Sequence, residues 1–223
     1  MSQDLLDIVQ HMDQQGLEWQ MAMQCAPLIT GLKVSNLVML PASCERDILD
    51  FLSATEFSYQ ILRRTEKKIA MLIYRAEDLI RVLASPEACR ILADAGYPSS
   101  CLPGKDHAPD SPQALRALQA ALCLLGRRYR DCREKGQPFP HEMGLFLGYP
   151  VEDVQGFIEK RPALYSGYWV VFEQVEEKKK LFSAYEEARS SLIRLLHEGW
   201  TLVEILQQHS STRSSSRLLP AAG

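Results

Sequence analysis

Apolar positions recur along this chain with two different periods, and the switches between them mark its elements. Leu5, Ile8, Val9 and Met12 fall at helical spacing, so residues 3–24 read as an N-terminal helix, interrupted at Gly16 and ended by Pro27. In GLKVSNLVMLP, Leu32, Val34, Leu37, Val38 and Met39 fit a short strand closed by Pro41, and residues 46–52 then return to helical spacing. FSYQILRR and KKIAMLIYR flank the charged turn Thr65, Glu66, Lys67 and read as a β-hairpin. The unbroken apolar run over 69–73 predicts that the second of these strands lies at the centre of the sheet.

Punctuation sets the remaining boundaries. Ser85, Pro86 and Glu87 supply a hydroxyl cap, a proline at the first helical position and an acid against the dipole, so a helix starts there and stops near Gly96. Residues 96–112 form the longest irregular stretch. Ser111 and Pro112 open another helix, whose Leu115, Leu118, Leu122 and Leu125 make one apolar stripe to Gly126 or beyond. SGYWVVFE is the last strand candidate; a helical region follows from Glu176 to about Gln208, broken at Gly199. The pattern predicts an α+β fold, a small mostly antiparallel sheet covered by helices, with a C-terminal helical segment. Residues 1–208 are expected to form one domain and 209–223, rich in serine, a disordered tail.

The strongest local signal is PFPHEMGLFLGYPVEDVQGFIEK, residues 138–160. Pro140 fits a first helical turn, placing His141 and Glu142 at the positive end of a short helix through Leu147; Gly148 ends it, and Pro150 starts a second helix with Glu152 and Asp153 in its first turn and Val154, Phe157 and Ile158 facing inward. The rhythm is that of a helix-turn-helix. A reading helix carrying Glu152, Asp153 and Glu159 would be repelled by phosphate, so nucleic acid is disfavoured as a partner. The helix N-terminus favours a neutral imidazole, which makes His141 a candidate base; packing or capping is the alternative role. The zinc-protease spacing fails, because Leu145 stands where the second histidine would be.

Composition narrows the classes further. With 25 basic and 28 acidic side chains the net charge is -3, too small a field to gather nucleic acid or an anionic membrane. No apolar run approaches a membrane span and MSQDLLDIVQHMDQQ lacks the shape of a signal peptide, so a cytoplasmic protein without membrane contact is expected. The 6 cysteines have no Cys-x-x-Cys pair, so free thiols and no structural metal are expected, with Cys89 and Cys123 as small buried apolar residues. Arg127, Arg128, Arg130 and Arg133, interleaved with Asp131 and Glu134, read as a solvated helix end.

FPHEMGLFLGYPVEDVQGFIEK followed by SGYWVVF, with CAPLITGLKVSNL and KKIAMLIYR before them, closely resembles a bacterial family catalogued as domain of unknown function 3793, over roughly residues 20–200. The resemblance implies no defined activity or cofactor; what it suggests is a place in iron or redox physiology. Gln24 stands where similar chains often have histidine before Cys-Ala-Pro, and Ala163, Leu164 and Tyr165 where they often have cysteine or lysine, which weakens a metal reading at those points.

Polar residues at element ends define the candidate site. Lys33, Asn36, Arg75, His141, Tyr149 and Tyr168 are the candidate ligand-binding residues, and Cys25, His141 and Glu142 the candidate catalytic ones. Arg75 can hold a carboxylate or phosphate bidentately, or form a structural ion pair with an acid such as Glu142. Cys25 precedes Pro27 near a negative helix end, which favours a buried thiol over a nucleophile. Because Tyr168 and Trp169 alternate along a strand, at most one faces a given pocket. The expected function is binding of a small ligand near the Pro-His-Glu helix start, with a protein-interaction module as the alternative, and enzyme or non-enzyme left open.

Overall fold

A computed structural model describes residues 13–14, 16–104 and 107–217, with side chains described as far as 209. The predicted helix over residues 3–12 lies outside the described residues. Gly16 caps helix α1 (Leu17–Ile29), which runs past Pro27 instead of ending at it. Leu28 and Ile29 are fully buried and the last carbonyls of α1 are satisfied from outside the helix, which offsets the hydrogen bond that Pro27 withholds from the preceding turn.

Strands β1 (Ser35–Pro41), β2 (Ser58–Arg64) and β3 (Lys68–Tyr74) form an antiparallel sheet in the order β1-β3-β2, with helix α2 (Glu45–Ser53) between the first two in sequence. Ser35 lies opposite Tyr74 and Pro41 opposite Lys68, while β2 carries a register shift between Ile61 and Arg63. Central β3 is buried on both faces, which explains its continuous apolar run. Ile69, Met71 and Ile73 face a core built with α1, α2 and the C-terminal helices; Ala70, Leu72 and Tyr74 face a second core built with the middle helices.

Those middle helices are α3 (Ala76–Leu83), α4 (Pro86–Asp94) and α5 (Pro112–Lys135). Helix α3 is an element that the periodic reading passes over. Ser85 and Ser111 cap α4 and α5 as their sequences predict, each hydroxyl accepting an N–H three residues on. Helix α5 continues through the arginine-rich stretch to Gly136, whose φ of 66° makes the left-handed stop. Arg130 spans to the Leu62 carbonyl at 3.1 Å, so the basic cluster is only in part a solvated face. Cys123 is exposed on α5 and Cys89 half-buried on α4; the buried thiols are Cys25, Cys44 and Cys101.

The hairpin consists of α6 (Met143–Phe146) and α7 (Val151–Ile158). It packs against α3, α4 and the segment that follows rather than across the sheet, and ties to β1 where the Ser35 hydroxyl donates to the Phe146 carbonyl at 2.5 Å. SGYWVVFE does not join the main sheet. Instead it splits: Val170–Val171 (β5) pairs with Tyr165–Ser166 (β4) as a separate ribbon. Helix α8 (Val175–His197) packs on α1, and after Gly199 helix α9 (Leu202–Arg217) continues beyond the expected end near Gln208. Residues 218–223 of the expected tail lie outside the described residues. The fold is α+β, and among the described residues no helix is long and apolar enough to cross a membrane.

Gly156 is the tightest joint between hairpin and ribbon. A Cβ there would lie 2.5 Å from the ring of Phe172, itself buried, so contact outweighs the roughly 1 kcal/mol of helix propensity that alanine offers. Gly156→Ala is expected to destabilise the fold by about 1–3 kcal/mol, read as a Tm several degrees lower in a thermal melt. An unchanged or higher Tm would show that Phe172 moves aside freely.

Candidate functional site

The Pro-His-Glu turn sends two neighbouring side chains in opposite directions. The amides of Met143, Gly144 and Leu145 bond back to Pro140, His141 and Glu142, tightening the chain before α6. His141 is exposed, its ring 5.8 Å from that of Phe139 and 5.1 Å from that of Phe157, the latter edge-on. Glu142 turns inward, only 3% exposed, and accepts from Arg128 Nε at 2.7 Å and the Tyr97 hydroxyl at 3.2 Å. The acid beside His141 is therefore a joint between the hairpin, α5 and the turn after α4. Burial, reinforced by the Glu142 charge, pushes the Tyr97 phenol well above its usual range.

Gly148 then turns the chain with φ 70°, and a Cβ there would sit 2.7 Å from Val34. Both the conformation and the close approach require glycine. This turn delivers Tyr149 to the indole of Trp169, stacked at 4.9 Å with 25° between the ring planes. Trp169 is fixed in turn by Asp153. One carboxylate oxygen accepts the indole N–H at 2.7 Å, and the other accepts the Phe172 amide at 2.8 Å.

These contacts enclose a cavity of about 240 Å³ between the hairpin and the ribbon. Phe139, His141 and Phe157 are its exposed lining; Met143, Val154 and Trp169 lie deeper and are buried. Phe157 and Ile158 do not face inward on α7. Phe157 is 46% exposed, and the buried positions of this helix are Asp153, Val154 and Gly156.

Behind Tyr149 lies a polar cluster. The Lys33 ammonium sits 5.4 Å from the Tyr149 ring centre and donates to Asn36 Oδ1 at 2.7 Å. Asn36 donates to the Gln24 carbonyl at 2.5 Å and bonds the Cys25 thiol. Cys25 is fully buried, and burial raises its thiol to about 12 against the opposing pull of Lys33 and Asn36. Burial draws Lys33 down to about 8, partly countered by Cys25. At neutral pH the pair is a neutral thiol beside an ammonium, not a thiolate nucleophile.

The other candidates stand apart. Arg75 is buried and reaches the carbonyls of Leu28 and Ile29 at 2.5 and 3.5 Å, closing the end of α1, while Nε bonds Glu56 at 2.9 Å and the guanidinium lies 4.6 Å over Phe57. Its acid is Glu56, not Glu142. Tyr168 turns to α8, donating to Glu186 at 2.7 Å and accepting from Arg189 at 2.6 Å; burial first, then the Glu186 bond, raises its phenol to about 12. Thus His141 and Tyr149 share the cavity, Cys25, Lys33 and Asn36 cluster behind it, and Arg75, Glu142 and Tyr168 fasten other joints. Phe139, Asp153 and Phe157 line the cavity but are not among the residues that the sequence singles out for a site. A first-turn acid looks like a dipole partner, and nothing local says that its oxygens will be spent on an indole 16 residues on and an amide 19 residues on.

Lys33 gives a stability signature with a definite sign. Its folded value of about 8 lies below the ordinary 10.5, so above pH 8 the unfolded chain holds the proton that the folded chain has lost, and stability rises with pH. From pH 9 upward Cys25 opposes this, because the unfolded thiol ionises while the buried one stays protonated to about 12. Urea unfolding is expected to show about 1 kcal/mol more stability at pH 9 than at pH 7 from this group, a rise lost in Lys33→Met. Equal slopes in the two proteins would place Lys33 in water.

The match to known proteins is narrow. No curated protein and no solved structure matches the chain. A family model described as "Protein of unknown function (DUF3793)" matches residues 21–206, a span that includes the sheet, the hairpin, the ribbon and the Lys33 cluster. The chain therefore belongs to the family of domain of unknown function 3793.

Proposed function

We propose that this protein binds a small, mostly apolar ligand in the cavity beside His141. The observation that carries the reading is an aromatic-lined recess, half open to solvent, whose shape is fixed by the Asp153–Trp169–Tyr149 contacts. Its volume suits a compound of one or two rings. Cys25 is not on the lining, so the reading is one of binding and assigns no catalytic or redox step. Duplex DNA remains disfavoured: in α7, Asp153 and Val154 are buried and Glu152 pairs with Lys178 at 2.7 Å, so little of that helix is left to enter a groove. A second reading, a protein partner seated on the rim, draws on the exposure of Phe139, Phe157 and Ile158. In that case small ligands and the partner compete.

A library of small ring compounds observed by protein NMR is expected to shift the resonances of Tyr149, Phe157 and Trp169 together. Phe157→Ala, at a position exposed enough to leave the fold intact, is expected to weaken those compounds by roughly tenfold. Compounds that bind only elsewhere on the protein would remove the reading.

A further inference from the structure

We infer that the ligand is an uncharged ring compound carrying one hydrogen-bonding oxygen, of the phenol type; the inference rests on the ligand-binding reading above. The charges around the cavity decide against ions of either sign. A cation would find no open π face on Tyr149, since stacking with Trp169 covers one face and the Lys33 ammonium lies over the ring at 5.4 Å, and the exposed rings of Phe139 and Phe157 offer it only the weak attraction of a solvated site. That ammonium repels a second positive charge across the wall. An anion would meet the carboxylate of Asp153, which is on the lining, 2% exposed, and held by two neutral donors with no cation paired to it among the described residues. Either ion would also leave its hydration behind in a recess with little polar surface.

The same lining is not wholly indifferent to polarity. Two of the lining residues, His141 and Tyr149, carry side-chain polar groups with no hydrogen-bond partner among the described residues. The other polar side chains of the lining are engaged: the Trp169 N–H and both Asp153 oxygens bond one another or Phe172. One hydroxyl or carbonyl on an otherwise apolar ring satisfies what is open without asking for a counter-ion. Phe139 and Phe157, on the exposed side, offer ring surfaces against which such a compound packs.

Four compounds of similar size test this: phenol, toluene, benzoate and benzylammonium, each titrated against the full chain by NMR at neutral pH. Phenol is expected to bind roughly threefold to tenfold tighter than toluene, the range of one net hydrogen bond, and tighter still than either ion. His141→Leu and Tyr149→Phe, which keep an apolar lining and the stacked ring respectively, are expected to shrink the preference for phenol over toluene while leaving toluene affinity within about twofold. Equal binding of phenol and toluene, or a preference that survives both substitutions, overturns the inference. So does benzoate or benzylammonium as the tightest of the four, although binding at Tyr149, Phe157 and Trp169 would then leave the cavity reading standing. If none of the four moves those resonances, both readings fall.

Discussion

The candidate site depends on one desolvated carboxylate. Asp153 is 2% exposed and its two oxygens take an indole N–H and a backbone amide, so among the described residues the carboxylate is held by hydrogen bonds and not by a cation. Through that pair of bonds, α7 fixes the turn between β4 and β5. The turn fixes the plane of Trp169, Trp169 fixes Tyr149 by stacking, and Tyr149 separates the apolar cavity from the Lys33 cluster. An isolated two-stranded ribbon is marginal in water. Here it is held by Asp153 on one side and by Phe182 and Tyr185 of α8 on the other.

Glycine makes these close approaches feasible. Gly156 lets Phe172 lie against α7, Gly144 gives room to Val154 across the hairpin, and Gly148 combines a left-handed turn with contact to Val34 at the head of β1. A side chain at Gly156 would push the hairpin away from the ribbon, one at Gly144 would spread the two hairpin helices, and one at Gly148 would part the hairpin from β1. The repeated Gly-Tyr-Pro sequence therefore does two different things. At 96–98 a Cβ on the glycine would meet nothing within 4 Å, and the segment is a helix stop; at 148–150 it is both a stop and a packing joint.

Most of the architecture was legible because burial imposes period. The two-sided burial of β3 shows directly in residues 69–73, and the capping serines at 85 and 111 announce α4 and α5. Where the reading failed, a long-range contact outweighed a local signal. Pro27 looks like a helix end, yet the burial of Leu28 and Ile29 and the Arg75 guanidinium carry α1 past it. SGYWVVFE looks like one strand, yet it folds back on itself with Ser166 opposite Val170, and Trp169 and Phe172 are claimed by Asp153. Of the site, the sequence located the segment but not the partners. His141 and Tyr149 do line one cavity, while Arg75 and Glu142, chosen for their charge, are spent on Leu28, Glu56, Arg128 and Tyr97.

That division follows from cost. A buried charge must be fully engaged or it destabilises the fold, so a charged residue at an element end is used up by structure before it is available for chemistry. Arg75 and Glu142 satisfy this by direct pairing, Asp153 by two neutral donors. Lys33 meets it less well: its partners among the described residues are one amide oxygen, an aromatic face and a protonated thiol, with no carboxylate paired to it. Folding an ammonium into that setting lowers its proton affinity, and the energy stored there is set against the Tyr149 ring. The wall of the cavity thus carries, on the side away from the solvent, a buried ammonium that its neighbours compensate only weakly.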